Sequence, residues 1–171
     1  MDLWKTGTYW HLATRQEELS RLDDQALKKA APAIDSLLKN CRFQTFVHGD
    51  AKLENFCFSR DGRSVAALDF QYVGGGCGIK DVAYFLDSCF PEHTCERLAP
   101  SMLQFYFSAL KDALVLKNKT VDFTALEQEW RAMYPVAWTD FYRFLKGWTP
   151  LHQSGYRYSE RIARQVIGRL E

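Results

Sequence analysis

Several features are missing from this chain, and each absence narrows what it can be. No stretch approaches the roughly 18 uncharged apolar residues that a membrane-spanning helix needs, so a membrane span is not expected. The N-terminus MDLWKTGTYWH has neither the basic start nor the apolar stretch of a signal peptide, which points to the cytoplasm. The five cysteines, at 41, 57, 77, 89 and 95, are odd in number and form no C-x-x-C pair. Neither a disulfide framework nor a zinc site is supported by that spacing, and thiols acting as small hydrophobes are expected. An excess of one charge is also lacking, with 22 Lys and Arg against 21 Asp and Glu. Without a basic run or a basic helix face strong enough to bind a polyanion, a nucleic-acid partner is not expected.

What is present suits a soluble globular protein with its own core. Of the 171 residues 47% are hydrophobic and 25% charged, so one domain spanning 1–171 is expected. Aromatic residues make up 15% and concentrate in the second half. Thr14 and Glu17 have capping-box spacing ahead of Leu19, Leu22 and Leu27, which predicts a helix, and Pro32 suits the first turn of a second helical piece running to about Asn40. FQTFV is a strand candidate. NFCFS and SVAALDF, joined around Asp61-Gly62, read as a hairpin. Gly74, Gly75, Gly76 and Gly78 make a loop that matches no Walker A or dinucleotide fingerprint, so flexible backbone or close approach to a neighbour is its expected use.

From Asp81 onward the pattern is helical. Asp81 is read as an N-cap before Val82, Phe85 and Leu86. Pro100 is expected to bend or divide the next helix, and Thr124 and Glu127 form a second capping-box spacing before a segment interrupted by Pro135. Gly147, Pro150 and Gly155 mark loops before a last basic amphipathic helix, YSERIARQVIGRL. The fold class expected is α+β, mainly helical, with a small β-hairpin.

The stretch FVHGDAKLENFCFSRDGRSVAALDFQ carries the chemistry. It sets Asp50, Asn55 and Asp69 at the ends of short strands that the hairpin folds toward one another. Two carboxylates and a carboxamide can hold a divalent cation through oxygen, and Mg²⁺ suits such a partial set because it keeps waters and takes substrate phosphates. A carboxylate left free of the metal can accept a proton from an attacking hydroxyl. Phosphoryl transfer needs both tasks. Turn chemistry alone is the competing use of Asp and Asn at such positions.

HGDAKLEN followed by LDF resembles the catalytic loop and metal-binding segment of the aminoglycoside phosphotransferase and choline kinase-like superfamily, whose fold is shared with the protein kinases. The longer run through GGGCGIKDVAYFL is similar in particular to the choline and ecdysteroid kinase-like branches. The resemblance implies a kinase-like C-terminal lobe with catalytic and metal segment 46–86 and helical subdomain 87–171, using ATP and Mg²⁺ to phosphorylate a hydroxyl of a small molecule. It implies that Asp50 is the catalytic base and that Asn55 and Asp69 are metal ligands, all three facing the nucleotide. Asp81 would hold the catalytic loop through backbone N–H groups, and His48 would brace it. Lys52, two residues after Asp50, either stabilises the transferring phosphoryl group or only lies near the cleft mouth.

The departures from that pattern matter equally. Only 47 residues precede His48, and they read as helices, without a glycine-rich hairpin or a strand-borne lysine. The N-terminal lobe is therefore expected to be absent, the activity of these residues alone weak, and the uncovered cleft face prone to self-association. The alternative is a non-catalytic remnant acting as an interaction module. A protein kinase fits less well, since DFQ stands where DFG would be. Trp130, Tyr134, Trp138, Tyr142 and Trp148 leave two uses open. Spacing by four is that of a buried helical stripe, whereas Trp138, Tyr142 and Trp148 could form an aromatic cage for a cationic acceptor.

Overall fold

A computed structural model describes residues 3–149 and 157–170. Helix α1 (Gln16–Ser20) and helix α2 (Gln25–Asn40) lead into strand β1 (Thr45–Val47). Strands β2 (Phe56–Phe58), β3 (Val65–Ala67) and β4 (Gly74–Gly76) follow, and the rest is helical: α3 (Ile79–Cys89), α4 (Glu92–Leu116), α5 (Phe123–Trp148) and α6 (Arg157–Ile167). The fold is mainly helical α+β with two small antiparallel sheets, one pairing β1 with β4 and the other β2 with β3. Among the described residues no helix is long and apolar enough to cross a membrane.

Helix α5 is the axis of the packing, touching α1, α2, α3 and α6. Its long apolar face, with Trp130, Tyr134 and Trp138, joins Leu27 and Ile34 of α2, Ile79 and Leu86 of α3, Phe107 of α4 and Ile162 of α6 in one core. A second cluster joins Trp10 of the N-terminal segment, Tyr84 of α3 and Phe141 and Phe144 of α5. Burial of side chains of this size contributes about 1.5–3 kcal/mol each. The aromatic richness of the second half is therefore mostly core.

Helix starts differ from expectation at Thr14 and Thr124 for separate reasons: the Thr14 hydroxyl turns back to the preceding turn, whereas at Thr124 an aspartate two residues upstream makes the cap. Asp24 accepts from Leu27 N at 3.0 Å and caps α2, while Thr14 Oγ1 donates back to the His11 carbonyl and the predicted single helix is split at residues 21–24. Asp122 accepts from Ala125 N at 3.0 Å, so α5 starts at Phe123 and not at a Thr124 box. Pro32, Pro100 and Pro135 all lie inside continuous helices. Pro32 and Pro100 are exposed, where the carbonyl freed one turn back can turn to water. Gly147 also belongs to a helix: a Cβ there would lie 2.0 Å from the Glu18 carbonyl oxygen, so its smallness lets α1 rest directly on α5. Pro150 and Gly155 lie outside the described residues.

The hairpin forms as expected, with Phe56 opposite Ala67 and Phe58 opposite Val65, and Gly62 takes φ 69° in the turn. The glycine run forms a strand. Val47 pairs with Gly74, and Trp4 bridges Gly74 from the other side, so the backbone there is flanked on both edges. A Cβ on Gly74 would lie 2.2 Å from the Trp4 carbonyl oxygen. Close approach of backbones, and not flexibility, is what Gly74 serves. Cys41, Cys77 and Cys95 are buried thiols, Cys89 is half-buried and Cys57 is exposed.

Candidate active site

Strand β1 ends in a loop held from beneath by one carboxylate. Asp81 accepts from His48 N at 2.6 Å and from Gly49 N at 3.1 Å, in the first turn of α3. Helix α3 begins at Ile79, three residues earlier than an Asp81 N-cap would allow, so the carboxylate is free to serve the loop instead of its own helix. Burial pushes the Asp81 carboxyl up, and the two N–H bonds work against that by favouring the anion. Ser88, one helical stretch later, accepts from Leu53 N at 2.8 Å and fixes the far side of the loop.

Within the loop the functional side chains are tied to each other. Asn55 Nδ2 donates to the Asp50 carbonyl at 2.7 Å and to Asp50 Oδ2 at 3.0 Å, and both residues are buried. With its amide nitrogen so used, Asn55 has its oxygen as the remaining ligand atom. Leu68 N donates to the Asn55 carbonyl at 2.8 Å, which sets Asp69 beside Asn55 at the exit of the hairpin. Asp69 adopts φ 58°, ψ 61°, a left-handed conformation uncommon outside glycine and better tolerated by Asp than by most residues. Its carboxylate is exposed and accepts from Gln71 Nε2 at 3.3 Å.

His48 spans the gap between these pieces. Its Nε2 lies 2.7 Å from the Leu68 carbonyl, which can only accept, so Nε2 carries the proton and Nδ1 is left to accept from Asp50 N at 3.3 Å. Both ring nitrogens are occupied by backbone, the arrangement of a brace and not of a base. Lys52 Nζ lies 3.9 Å from Asp50 Oδ2 and is partly exposed.

Two contributors to the site were not foreseen. The first is Tyr84 of α3, whose hydroxyl lies close to the Asp50 carboxylate and to the Tyr9 hydroxyl. Burial pushes Tyr9 up to about 12 and Tyr84 above its ordinary value, so both keep their protons at neutral pH. The second is the N-terminal strap. Tyr9 N donates to the Gly49 carbonyl at 2.9 Å, Thr8 N to the Tyr72 carbonyl at 3.2 Å and Trp4 Nε1 to the Gln71 carbonyl at 2.8 Å. Tyr84 sits in DVAYFL, a plain apolar helix by periodicity, and nothing in the strap's sequence marks it as a partner of the loop.

The aromatic cage is corrected by the structure. Trp138 and Tyr142 are 2% and 4% exposed, and Trp138 Nε1 donates to Ser159 Oγ at 2.8 Å inside the core. Rings packed on all sides cannot receive a ligand. Trp148 is exposed, but the cation over it is the chain's own: the Arg15 guanidinium lies 5.6 Å from the Tyr9 ring, 5.8 Å from Phe144 and 5.7 Å from Trp148.

Among the described residues no group of three or more His, Cys, Asp and Glu side chains could hold a metal by itself. Asn55 and Asp69 nevertheless offer the oxygen donors of a partial site, of the kind Mg²⁺ fills with water and substrate phosphate. Helical body, paired short strands and a carboxylate-braced loop are consistent with a single kinase-like lobe. Residues 5–118 match the ecdysteroid kinase-like family, and the chain belongs to that family. Neither the curated proteins nor the solved structures contain a significant match to it.

Proposed function

We propose that the chain is the C-terminal, catalytic lobe of an ATP-dependent phosphotransferase that moves the γ-phosphoryl group to a hydroxyl of a small molecule. The observation that carries this reading is the joining of Asp50, Asn55 and Asp69 through Asn55: its side chain holds Asp50 and its backbone holds the residue before Asp69. Asp50 orients the acceptor hydroxyl and takes its proton, held in place by Asn55. Asn55 and Asp69 are the residues to hold Mg²⁺, which when bound neutralises charge on the nucleotide phosphates. Lys52 adds a positive charge beside Asp50, and His48 and Asp81 hold the loop so that little geometry is lost on reaction.

The nucleotide-covering lobe belongs, in this reading, to a part of the protein beyond these residues. Leu3, Trp4, Phe46, Leu68 and Phe70 are all exposed on the segments around the loop, an apolar rim that a covering lobe would bury and that otherwise favours self-association. A cytoplasmic location suits both ATP use and five free thiols.

Calorimetry of Mg²⁺-dependent ATP binding tests the reading, with Asp69→Ala and Asp50→Asn as companions. Binding should vanish in Asp69→Ala and persist in Asp50→Asn, while phosphorylation of hydroxyl acceptors should fall at least about 100-fold in Asp50→Asn. Equal ATP binding by the parent and Asp69→Ala would sink the assignment. Turnover by these 171 residues alone at an ordinary kinase rate would sink the need for a second lobe.

A further inference from the structure

A second cleft, sharing no residue with the catalytic loop, lies between α2, β4, the start of α3 and the N-terminal strap. Its volume is about 650 Å³, within the range of small-molecule sites. Three lysines line it, Lys5 from the strap, Lys39 from α2 and Lys80 from α3, together with His11 and the single carboxylate Asp35. Backbone of Gly75 and Gly76 forms part of the wall.

The charges there do not balance. Lys80 and Arg143 both turn to Asp140, with Lys80 Nζ at 3.5 Å from Oδ2 and Arg143 Nη2 at 2.9 Å from Oδ1, and all three side chains are at most 5% exposed. Two buried cations thus share one buried anion. Asp35 does not make up the difference, since Lys39 Nζ takes it at 2.7 Å. Counting Lys5, Lys39, Lys80 and Arg143 against Asp35 and Asp140 leaves two positive charges around the cleft. One of the two is the buried excess of Lys80 and Arg143 over Asp140 and the other lies on exposed Lys5; the buried one is costly without a partner, and an anion in the cleft would offset it.

A second observation points the same way. His11 is 9% exposed, lines the cleft, and has Nε2 buried without a hydrogen-bond partner among the described residues. The nearest carboxylate oxygen, Asp35 Oδ1, is 3.6 Å away, beyond hydrogen-bond reach. A buried ring nitrogen left unpaired at the cleft wall donates to an acceptor there in the tautomer that places the proton on Nε2.

We infer that this cleft binds a phosphate dianion, either free orthophosphate or the phosphate of a small monoester, through Lys5, Lys39, Lys80 and His11. A phosphate monoester carries a charge near −2 at neutral pH, which matches the surplus, whereas a carboxylate would leave half of it. Lysines hold phosphate as point charges, without the planar bidentate geometry that carboxylates draw from arginine. The inference is independent of phosphoryl transfer at Asp50. Since β4 pairs with β1, and β1 runs directly into the catalytic loop, an occupant of the cleft would rest on the ribbon that carries Asp50.

Titration calorimetry with inorganic phosphate, glycerol 3-phosphate and acetate, without Mg²⁺ or nucleotide, tests this, with backbone amide shifts of Gly75 and Gly76 as the locating readout. Lys5→Gln and Lys39→Gln are the variants, because both lysines are exposed and neither holds the core; Lys80 is left alone so that Asp140 stays paired. Saturable phosphate binding is expected, weakened about tenfold by each substitution, restored by Lys39→Arg and unchanged in Asp69→Ala. Tighter binding of glycerol 3-phosphate than of phosphate would identify an ester as the occupant, and the reverse would identify orthophosphate. The proposal is overturned if phosphate does not saturate below about 10 mM, if acetate binds as tightly, or if binding disappears in Asp69→Ala and survives both lysine substitutions.

Discussion

Residues 46–86, which carry the proposed site, and the helical body behind them are stabilised by different means. The body is held by burial: Trp138, Phe107 and Ile34 are nearly inaccessible, and each touches neighbours from several helices. In the segment, strands of three residues expose Phe46, Phe58 and Val65, and order comes from directed bonds through Asp81, Asn55, His48 and Ser88. Burial tolerates small shifts, whereas a hydrogen bond is lost when its geometry is lost. A site that must hold three polar side chains in register is better served by the second kind of order.

The sharpest way to break this comparison is to damage each half and ask how far the damage spreads. Trp138→Ala should cost about 3–5 kcal/mol in denaturant unfolding and weaken protection from hydrogen exchange throughout. Asp81→Ala leaves two buried N–H groups unpaired, for a loss of about 2–4 kcal/mol, and the exchange of His48 and Gly49 amides should rise well before that of α5. If Asp81→Ala and Trp138→Ala loosen the same amides equally, the two regions are one cooperative unit and the contrast fails.

Asp87 sharpens the comparison at the seam between the halves. Burial, with Glu92 nearby, pushes its carboxyl up to about 7. A carboxyl raised in the folded state stabilises most when protonated, below its unfolded value near 4, and that stability is lost as pH rises toward 7. Asp87→Asn should therefore flatten the stability curve between about pH 4 and 7 and gain on the order of 1 kcal/mol at neutral pH. An unchanged pH profile in Asp87→Asn would remove this buried carboxyl from the account.

The smallest expected effect is at Asp69. Asp69→Gly relieves the left-handed backbone but frees the unfolded chain, so stability should change by less than about 1 kcal/mol, in the stabilising direction if at all. Mg²⁺-dependent ATP binding should nonetheless disappear. A loss of several kcal/mol by thermal or chemical unfolding would mean that Asp69 supports the hairpin, against its assigned role.

How much of this was legible in the sequence follows the same division. The hairpin around Asp61-Gly62 and the grouping of Asp50, Asn55, Asp69 and Asp81 could be read because turn residues and motif spacing act over a few positions. Helix starts were misread at Thr14 because its hydroxyl donates back to the His11 carbonyl, and at Thr124 because Asp122, one position before the helix, makes the bond that a capping box would otherwise make. Proline positions were overread, since an exposed proline in a long helix costs only what its neighbours cannot recover. Tyr84, Tyr9 and the Gly147 contact with Glu18 were out of reach, because each depends on a partner far along the chain, and periodicity carries no information about such partners.

Gly74 is flanked by Val47 and Trp4, with the Trp4 carbonyl oxygen where a Cβ would be. To a substitution scan, Gly74, between the Phe70–Tyr72 turn and α3, will not behave as a linker residue. It will be as intolerant as the densest part of the interior, although it buries almost no hydrocarbon of its own, and alanine will be as poorly received there as tryptophan. Intolerance of that kind comes from neighbouring main chains that leave no volume to concede.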